Sequence, residues 1–222
     1  MNIKLFIEAL FKFSLGLILS ALLVFIPAGE LYANGIKMML LLFVPMFIAG
    51  LIMMAKNPDL LAKRLNAREQ EGEQQLVIKL SGLLFIIGFV LAGLDYRYKW
   101  IELPTFVSDI ASILFMGAYL MYAEVLRENT YLSRTIEVQE NQKIVDTGLY
   151  GIVRHPMYSA TLILFLSILL VLSSLISFVI FLAYPIIIIK RIKNKEKVLI
   201  EGLEGYKEYM TKVKYHLIPF IY

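Results

Sequence analysis

Residues 155–189 read HPMYSATLILFLSILLVLSSLISFVIFLAYPIIII and contain no Asp, Glu, Lys or Arg. One helical membrane crossing takes about 20 residues, so a run this long suits two crossings that turn at Ser173-Ser174. A hairpin returns the chain to the side it left. Gly148-Leu149-Tyr150 and Arg154-His155-Pro156-Met157-Tyr158 precede the run; Lys190-Arg191, Glu196 and Gly205-Tyr206 follow it. These polar clusters, distant in sequence, are expected to meet at one membrane surface over a floor set in lipid.

Composition agrees with an integral protein. Of the 222 residues 59% are hydrophobic, and the mean hydropathy of +0.72 is far above that of a soluble domain. The expected fold is all-α: a polytopic helical membrane bundle in a single domain, 1–222. Cysteine is absent, which excludes disulfides, thiolate nucleophiles and Cys-held zinc or iron–sulfur clusters. The two histidines, His155 and His216, form no spaced metal cage with acidic residues, and no metal is expected.

Apolar windows of membrane length fall at about Phe6 to Ile26, Ile36 to Ala55, Leu76 to Leu94, Phe106 to Val125, Tyr158 to Leu172 and Leu175 to Ile189. The first resembles a signal peptide ahead of Ala28-Gly29, but its length and the spans behind it favour an uncleaved crossing. Basic residues gather in alternate loops: Lys56, Lys63, Arg64 and Arg68; then Arg127, Arg134, Lys143 and Arg154; then a tail from Lys190 to Lys214. The opposite loops hold Lys37, Arg97 and Lys99. The positive-inside rule therefore puts both termini and both polar clusters on the cytoplasmic side. A short chain rich in Ile and Lys points to a prokaryotic plasma membrane. Pro45 and Pro185 are expected to kink spans, and Gly82, Gly88, Gly93 and Gly117 to permit close helix approach. Asn57-Pro58-Asp59 opens a short interfacial helix. Leu199, Leu203, Tyr206, Met210 and Val213 recur every three or four residues, which predicts a C-terminal amphipathic helix on the membrane face, with Tyr206 and Tyr209 as interfacial anchors. Asp95 and Asp109 read as solvated ends at the far face, and His216 as structural.

His155-Pro156 stands where the fifth span begins. Proline suits a first helical turn, and it pushes the preceding residue to an extended conformation that aims His155 away from the helix. Free helix N–H groups with Arg154 beside them favour an anion. Tyr158 adds an aromatic face and a hydroxyl, and Arg191 and Glu196 come from the returning arm. A mixed-sign, aromatic pocket at lipid depth suits a ligand that is itself mixed in sign and carries an aromatic base. Read alone, Arg154 and Arg191 are topology-setting charges and Glu196 is one more charge on a Lys/Glu helix.

Val145-Asp146-Thr147-Gly148-Leu149-Tyr150-Gly151-Ile152-Val153-Arg154-His155-Pro156-Met157-Tyr158, followed by Arg191-Ile192, Glu196, Leu199, Tyr206, Tyr209 and Ile218-Pro219, resembles the C-terminal half of the isoprenylcysteine carboxyl methyltransferase family, relatives of the phospholipid N-methyltransferases. The resemblance covers about Asn129 to Pro219. It implies an integral-membrane methyltransferase that uses S-adenosylmethionine without a Rossmann domain, in keeping with the lack of a Gly-x-Gly-x-x-Gly after a strand. On that resemblance 1–127 supplies spans and 128–222 the cofactor-binding and catalytic half. Gly148, Tyr150, His155, Pro156, Tyr158 and Glu196 would bind the cofactor. Arg154, Arg191 and Glu196 would be the catalytic set, with the arginines near the cofactor carboxylate or the acceptor's anionic group. Where the family usually has two adjacent acids, this chain has Lys195-Glu196.

Methyl transfer from a sulfonium is an in-line displacement, so the protein must align the partners and exclude water. A carboxylate acceptor is ionised at pH 7 and needs no base; an amine or thiol would ask His155 or Glu196 to take a proton. The sequence leaves these acceptors open. The expected partner is a lipophilic small molecule or lipid-modified substrate within membrane lipid, with no nucleic acid. Two other functions compete: a sterol-reductase-like enzyme using NADPH, and a small non-catalytic transporter, which the near absence of charge inside the spans disfavours.

Overall fold

The computed structural model describes residues 3–65, 72–132 and 138–222, with the side chains of 72–74 left aside; Arg68 and Arg134 lie outside the described residues. Helices α1 (Ile3–Ala28), α2 (Ala33–Lys56), α4 (Gly72–Tyr98) and α5 (Thr105–Glu128) are long apolar rods, with the short α3 (Pro58–Leu65) between the second and third of them. A 3-10 turn at Gly148–Gly151 leads into α6 (Pro156–Val171), α7 (Leu175–Phe181), α8 (Tyr184–Gly202) and α9 (Tyr206–Lys212). No strand occurs among the described residues. The protein is a polytopic all-helical membrane bundle.

Among the described residues, five segments are long and apolar enough to cross a membrane: α1, α2, 75–98 of α4, α5, and the α7–α8 run from Leu175 to Gly202. Helix α6, with 16 residues, is shorter than a full crossing. The sixth window is not one helix. It breaks at Leu182-Ala183, and Pro185 sits in the first turn of α8, where its missing N–H has no intrahelical partner; it starts a helix and does not kink one. Pro45 lies inside α2, which continues through it.

Large apolar side chains on α1 and α2, such as Phe11, Ile18, Leu40 and Ile48, are exposed and form a lipid-facing belt. The core lies between α4, α5, α6 and the α7–α8 arm, where Phe89, Phe115, Leu169, Phe181 and Ile188 are buried together. Helix α1 packs along α4 at Gly93, where an added Cβ would come 2.4 Å from the Val24 carbonyl oxygen. Gly82 and Gly117 face open space and serve no close approach, contrary to expectation.

The turn expected at Ser173-Ser174 is present, and Ser174 caps α7 by accepting the Ser177 N–H. Beside it, Asp95 corrects the sequence reading. It is buried, accepting the Ser174 hydroxyl at 2.7 Å and the Ile101 N–H at 3.1 Å. Asp109 is exposed, as expected, and pairs with Lys37.

The C-terminal amphipathic helix is also corrected. Helix α8 ends at Gly202, the chain turns through Gly205 at φ 79°, a left-handed conformation that suits glycine, and α9 begins at Tyr206. Of the periodic residues, Leu199, Tyr206 and Val213 are buried with Tyr209, and Leu203 and Met210 pack partly buried beside Val138 and Ile144, so the apolar face meets protein.

Candidate functional site

The loop before α6 and the far part of α8 come together at one end of the bundle. His155 is the N-cap of α6, with φ −127° and ψ 59°, and Pro156 follows as its first residue. From α8, Glu196 reaches back to this loop: its Oε1 accepts from Arg154 Nε at 2.8 Å and from His155 Nε2 at 2.9 Å. Arg191, from the same helix, donates Nε to the Tyr158 hydroxyl at 3.1 Å. The turn at Ser173-Ser174 thus carries two distant clusters into one network.

A segment read in the sequence only as a structural His216 and the family-like Ile218-Pro219 completes it. After α9 the chain passes beside the motif loop, and backbone N–H groups of Arg154 and His155 donate to the carbonyls of Tyr215 and His216 at 2.8 and 2.9 Å. Arg154 Nη1 donates to the carbonyls of Val213 and Lys214, each at 2.9 Å, and Ser159 Oγ to that of Leu217 at 2.6 Å. Arg154 Nη2 donates to His216 Nε2, which lies 3.2 Å from Glu196 Oε2. Arg154 therefore spends its donors inside the protein.

Burial, opposed mainly by the hydrogen bond to Glu196, holds His155 below its ordinary value, at about 4. The ring is neutral at pH 7. Because a carboxylate only accepts, the proton sits on Nε2 and points at Glu196. His216, half-buried, is lowered as well, chiefly by burial. Its Nε2, taking the Arg154 proton, has its own proton on Nδ1.

This network backs a cavity. Tyr150, Arg154, His155 and Tyr158 stand on its wall with Tyr206 and Tyr209, and Asn129, Gln142, Lys143 and Lys195 bring the remaining polar groups. Tyr206 and Tyr209 are thus buried wall residues, not interfacial anchors. Tyr209 donates its hydroxyl to the Tyr150 carbonyl at 2.7 Å, closing α9 onto the 3-10 turn. The hydroxyls of Tyr150 and Tyr206 are buried and make no hydrogen bond of normal geometry among the described residues, although Asn129 acts on the first and Glu196 on the second.

Glu196 is not on the wall; it stands behind His155 and Arg154. Pro156 is buried and sets the helix start. Gly148 lies against α5 at φ 52°, where a Cβ would fall 1.5 Å from Glu128 Oε1, while the Leu149 N–H donates to Glu128 Oε2. Gly148 and Arg191 do not line the cavity either. The N-terminal half contributes Arg64 of α3, which donates to Met157 Sδ at 3.6 Å and to the Tyr122 hydroxyl. Only its place in a basic loop marked Arg64 in the sequence. No group that could hold a metal ion occurs among the described residues.

No curated protein sequence matches the chain. Residues 110–201 match the Isoprenylcysteine carboxyl methyltransferase (ICMT) family, a span that takes in most of α5, the motif loop, α6, α7 and nearly all of α8. The match begins before the motif and stops short of Tyr206, Tyr209 and the closing segment that carries His216. Residues 110–201, which hold the Arg154–His155–Glu196 network, are thus similar to the isoprenylcysteine carboxyl methyltransferase family.

Proposed function

We propose that the protein transfers a methyl group from S-adenosylmethionine to a lipophilic acceptor, an isoprenylcysteine-type carboxylate or similar group, at the cytoplasmic membrane face. The observation that carries this reading is the cavity itself: aromatic walls from Tyr150, Tyr158, Tyr206 and Tyr209, with His155 and the cations Lys143 and Lys195 beside them. That donor set fits a nucleoside with an amino-acid end. Tyrosine rings offer faces to a base, and cations and hydroxyls suit a carboxylate.

Bound there, S-adenosylmethionine would supply an electrophilic methyl. The residues present would do the rest by positioning. Glu196 fixes the tautomer and ring plane of His155, so the imidazole enters the cavity as a neutral, oriented group. The Arg191 contact holds the Tyr158 ring in place. Helix α9, closed by the Tyr209 bond, keeps water from one side. A ring that stays neutral down to about pH 4 is a poor base near neutrality, which favours an acceptor that is already an anion.

Titration of purified protein with S-adenosylhomocysteine tests the reading. Saturable binding is expected, weakened by His155→Ala and by Tyr150→Phe or Tyr206→Phe. The phenylalanine variants keep each ring and remove only a hydroxyl that makes no hydrogen bond of normal geometry, so their thermal midpoints should change little while affinity falls about threefold to thirtyfold. No binding by the wild type would end the proposal. Incubating membranes with isotopically labelled methyl donor and extracting the lipids would then identify the acceptor.

A further inference from the structure

The cavity wall is lopsided in charge. Lys143, Arg154 and Lys195 stand on it, and no Asp or Glu does among the described residues. Arg154 is neutralised by Glu196 and held by backbone carbonyls. Lys195 differs. It takes part in no ion pair among the described residues, and its Nζ lies 5.7 Å from the centre of the Tyr158 ring. An aromatic face attracts an ammonium and holds it in place without cancelling its charge. The Tyr150 and Tyr206 rings line the same space. A cation lacking a counter-charge, on a wall that holds no acid among the described residues, makes a seat for a small anion.

We propose that Lys195 seats a carboxylate of the bound ligand and so determines which ligands the cavity accepts. This rests on the methyltransferase reading and adds to it a residue at which the chain departs from the usual acid pair. The departure inverts the local sign. An acid at this position would draw an ammonium and repel a carboxylate, whereas Lys195 does the reverse, with Arg154 already committed to Glu196 and unable to serve in its place. Two ligands of the proposed reaction carry such a group: the methyl donor, at its amino-acid end, and the acceptor.

Matched probe pairs separate those sources. Wild type, Lys195→Gln, Lys195→Glu and Lys195→Arg would be titrated as full-length protein with S-adenosylhomocysteine against its decarboxylated analogue, and with S-farnesylcysteine against its carboxamide. Lys195→Gln is expected to weaken the carboxylate-bearing member of one pair by about ten- to hundredfold and its uncharged counterpart by less than about threefold. Lys195→Glu should weaken it further, and Lys195→Arg should retain most of the affinity. A response in the first pair assigns the seat to the methyl donor, and one in the second to the acceptor. Unchanged discrimination in both pairs overturns the proposal, while S-adenosylhomocysteine binding by every variant would leave the methyltransferase reading standing. If the wild type binds no S-adenosylhomocysteine, that reading falls. The S-farnesylcysteine pair then decides the seat alone: a Lys195 response keeps it, and equal affinities or no binding overturn it.

Discussion

Glu196 puts one negative charge into the protein interior and meets it with the Arg154 guanidinium and the His155 imidazole N–H. Breaking a buried pair of this kind costs about 3–5 kcal/mol, because the surviving charge is left without compensation. Arg154→Ala and Glu196→Gln are each expected to lower the thermal midpoint in detergent by several degrees, and the double variant by much less than the sum of the two. Additive losses would mean that the pair is not coupled. His155 makes a separate prediction about pH. Its folded value, about 4, lies below the ordinary 6.5, so above pH 6.5 both states are neutral and the group contributes nothing. As pH falls below 6.5 the unfolded chain takes up a proton that the folded protein refuses. Stability then declines until about pH 4, by up to about 3 kcal/mol. The same scan on His155→Gln should fall less steeply over pH 6.5 to 5. A wild-type midpoint that rises toward acid would contradict the burial argument. Sequence could find His155 and Glu196 because Arg-His-Pro-x-Tyr and its downstream acid make a pattern. It put Arg154 in the catalytic set, near an anionic group of cofactor or acceptor, because nothing in one dimension reveals that the guanidinium meets four protein acceptors.

Among the elements, the hairpin was legible and the closing segment was not, for one physical reason. An uncharged run longer than one crossing has to turn inside or at the edge of lipid, so length and composition determine the α6 to α8 arm with little help from tertiary contacts. Apolar spacing in 199–213 reports only that one face avoids water. Whether lipid or protein covers it depends on where the chain bends, and the bend at Gly205 lays α9 on Val138, Ile144 and Leu203. The segment beyond α9 carries still less signal, because it binds mainly through carbonyl oxygens, which every residue possesses. Ending the chain after Lys214 would remove the acceptors of the Arg154 and His155 N–H groups and of Ser159 Oγ, each loss costing about 1–3 kcal/mol where water cannot replace it. The truncated protein is expected to melt well below the wild type and to lose S-adenosylhomocysteine binding. Retention of both would reduce the segment to a surface tail.

Across the whole molecule the polar groups collect at the two ends of the bundle, with α6 between them spanning roughly 24 Å at 1.5 Å per residue. The His155 end holds the cavity. At the other end Asp95 ties the α6–α7 turn to α4, Asn34 Nδ2 donates to Ser173 Oγ at 2.8 Å, and Ser108 Oγ donates to the Val171 carbonyl at 2.8 Å, so α2, α4 and α5 all hold the turn. A hairpin pinned at its turn presents both arms in register at its open end, which is how His155 and Glu196 keep their spacing although no covalent constraint joins them. Asp95 looked like a solvated helix end because a lone acid at a span boundary usually is one; only the returning turn, remote in sequence, supplies its partners. Asp95→Ala would leave the Ile101 N–H without its acceptor and turn the Ser174 hydroxyl to Ser177 Oγ, 3.0 Å away, at about 1–3 kcal/mol in all. The expected result is a clear drop in thermal midpoint with S-adenosylhomocysteine affinity at low temperature within about twofold of wild type, since a folded hairpin still closes the cavity from the distant end. If affinity fell in Asp95→Ala as steeply as in Glu196→Gln while the protein remained folded, the two ends would be coupled through α6, and the turn would belong to the binding machinery and not to its support.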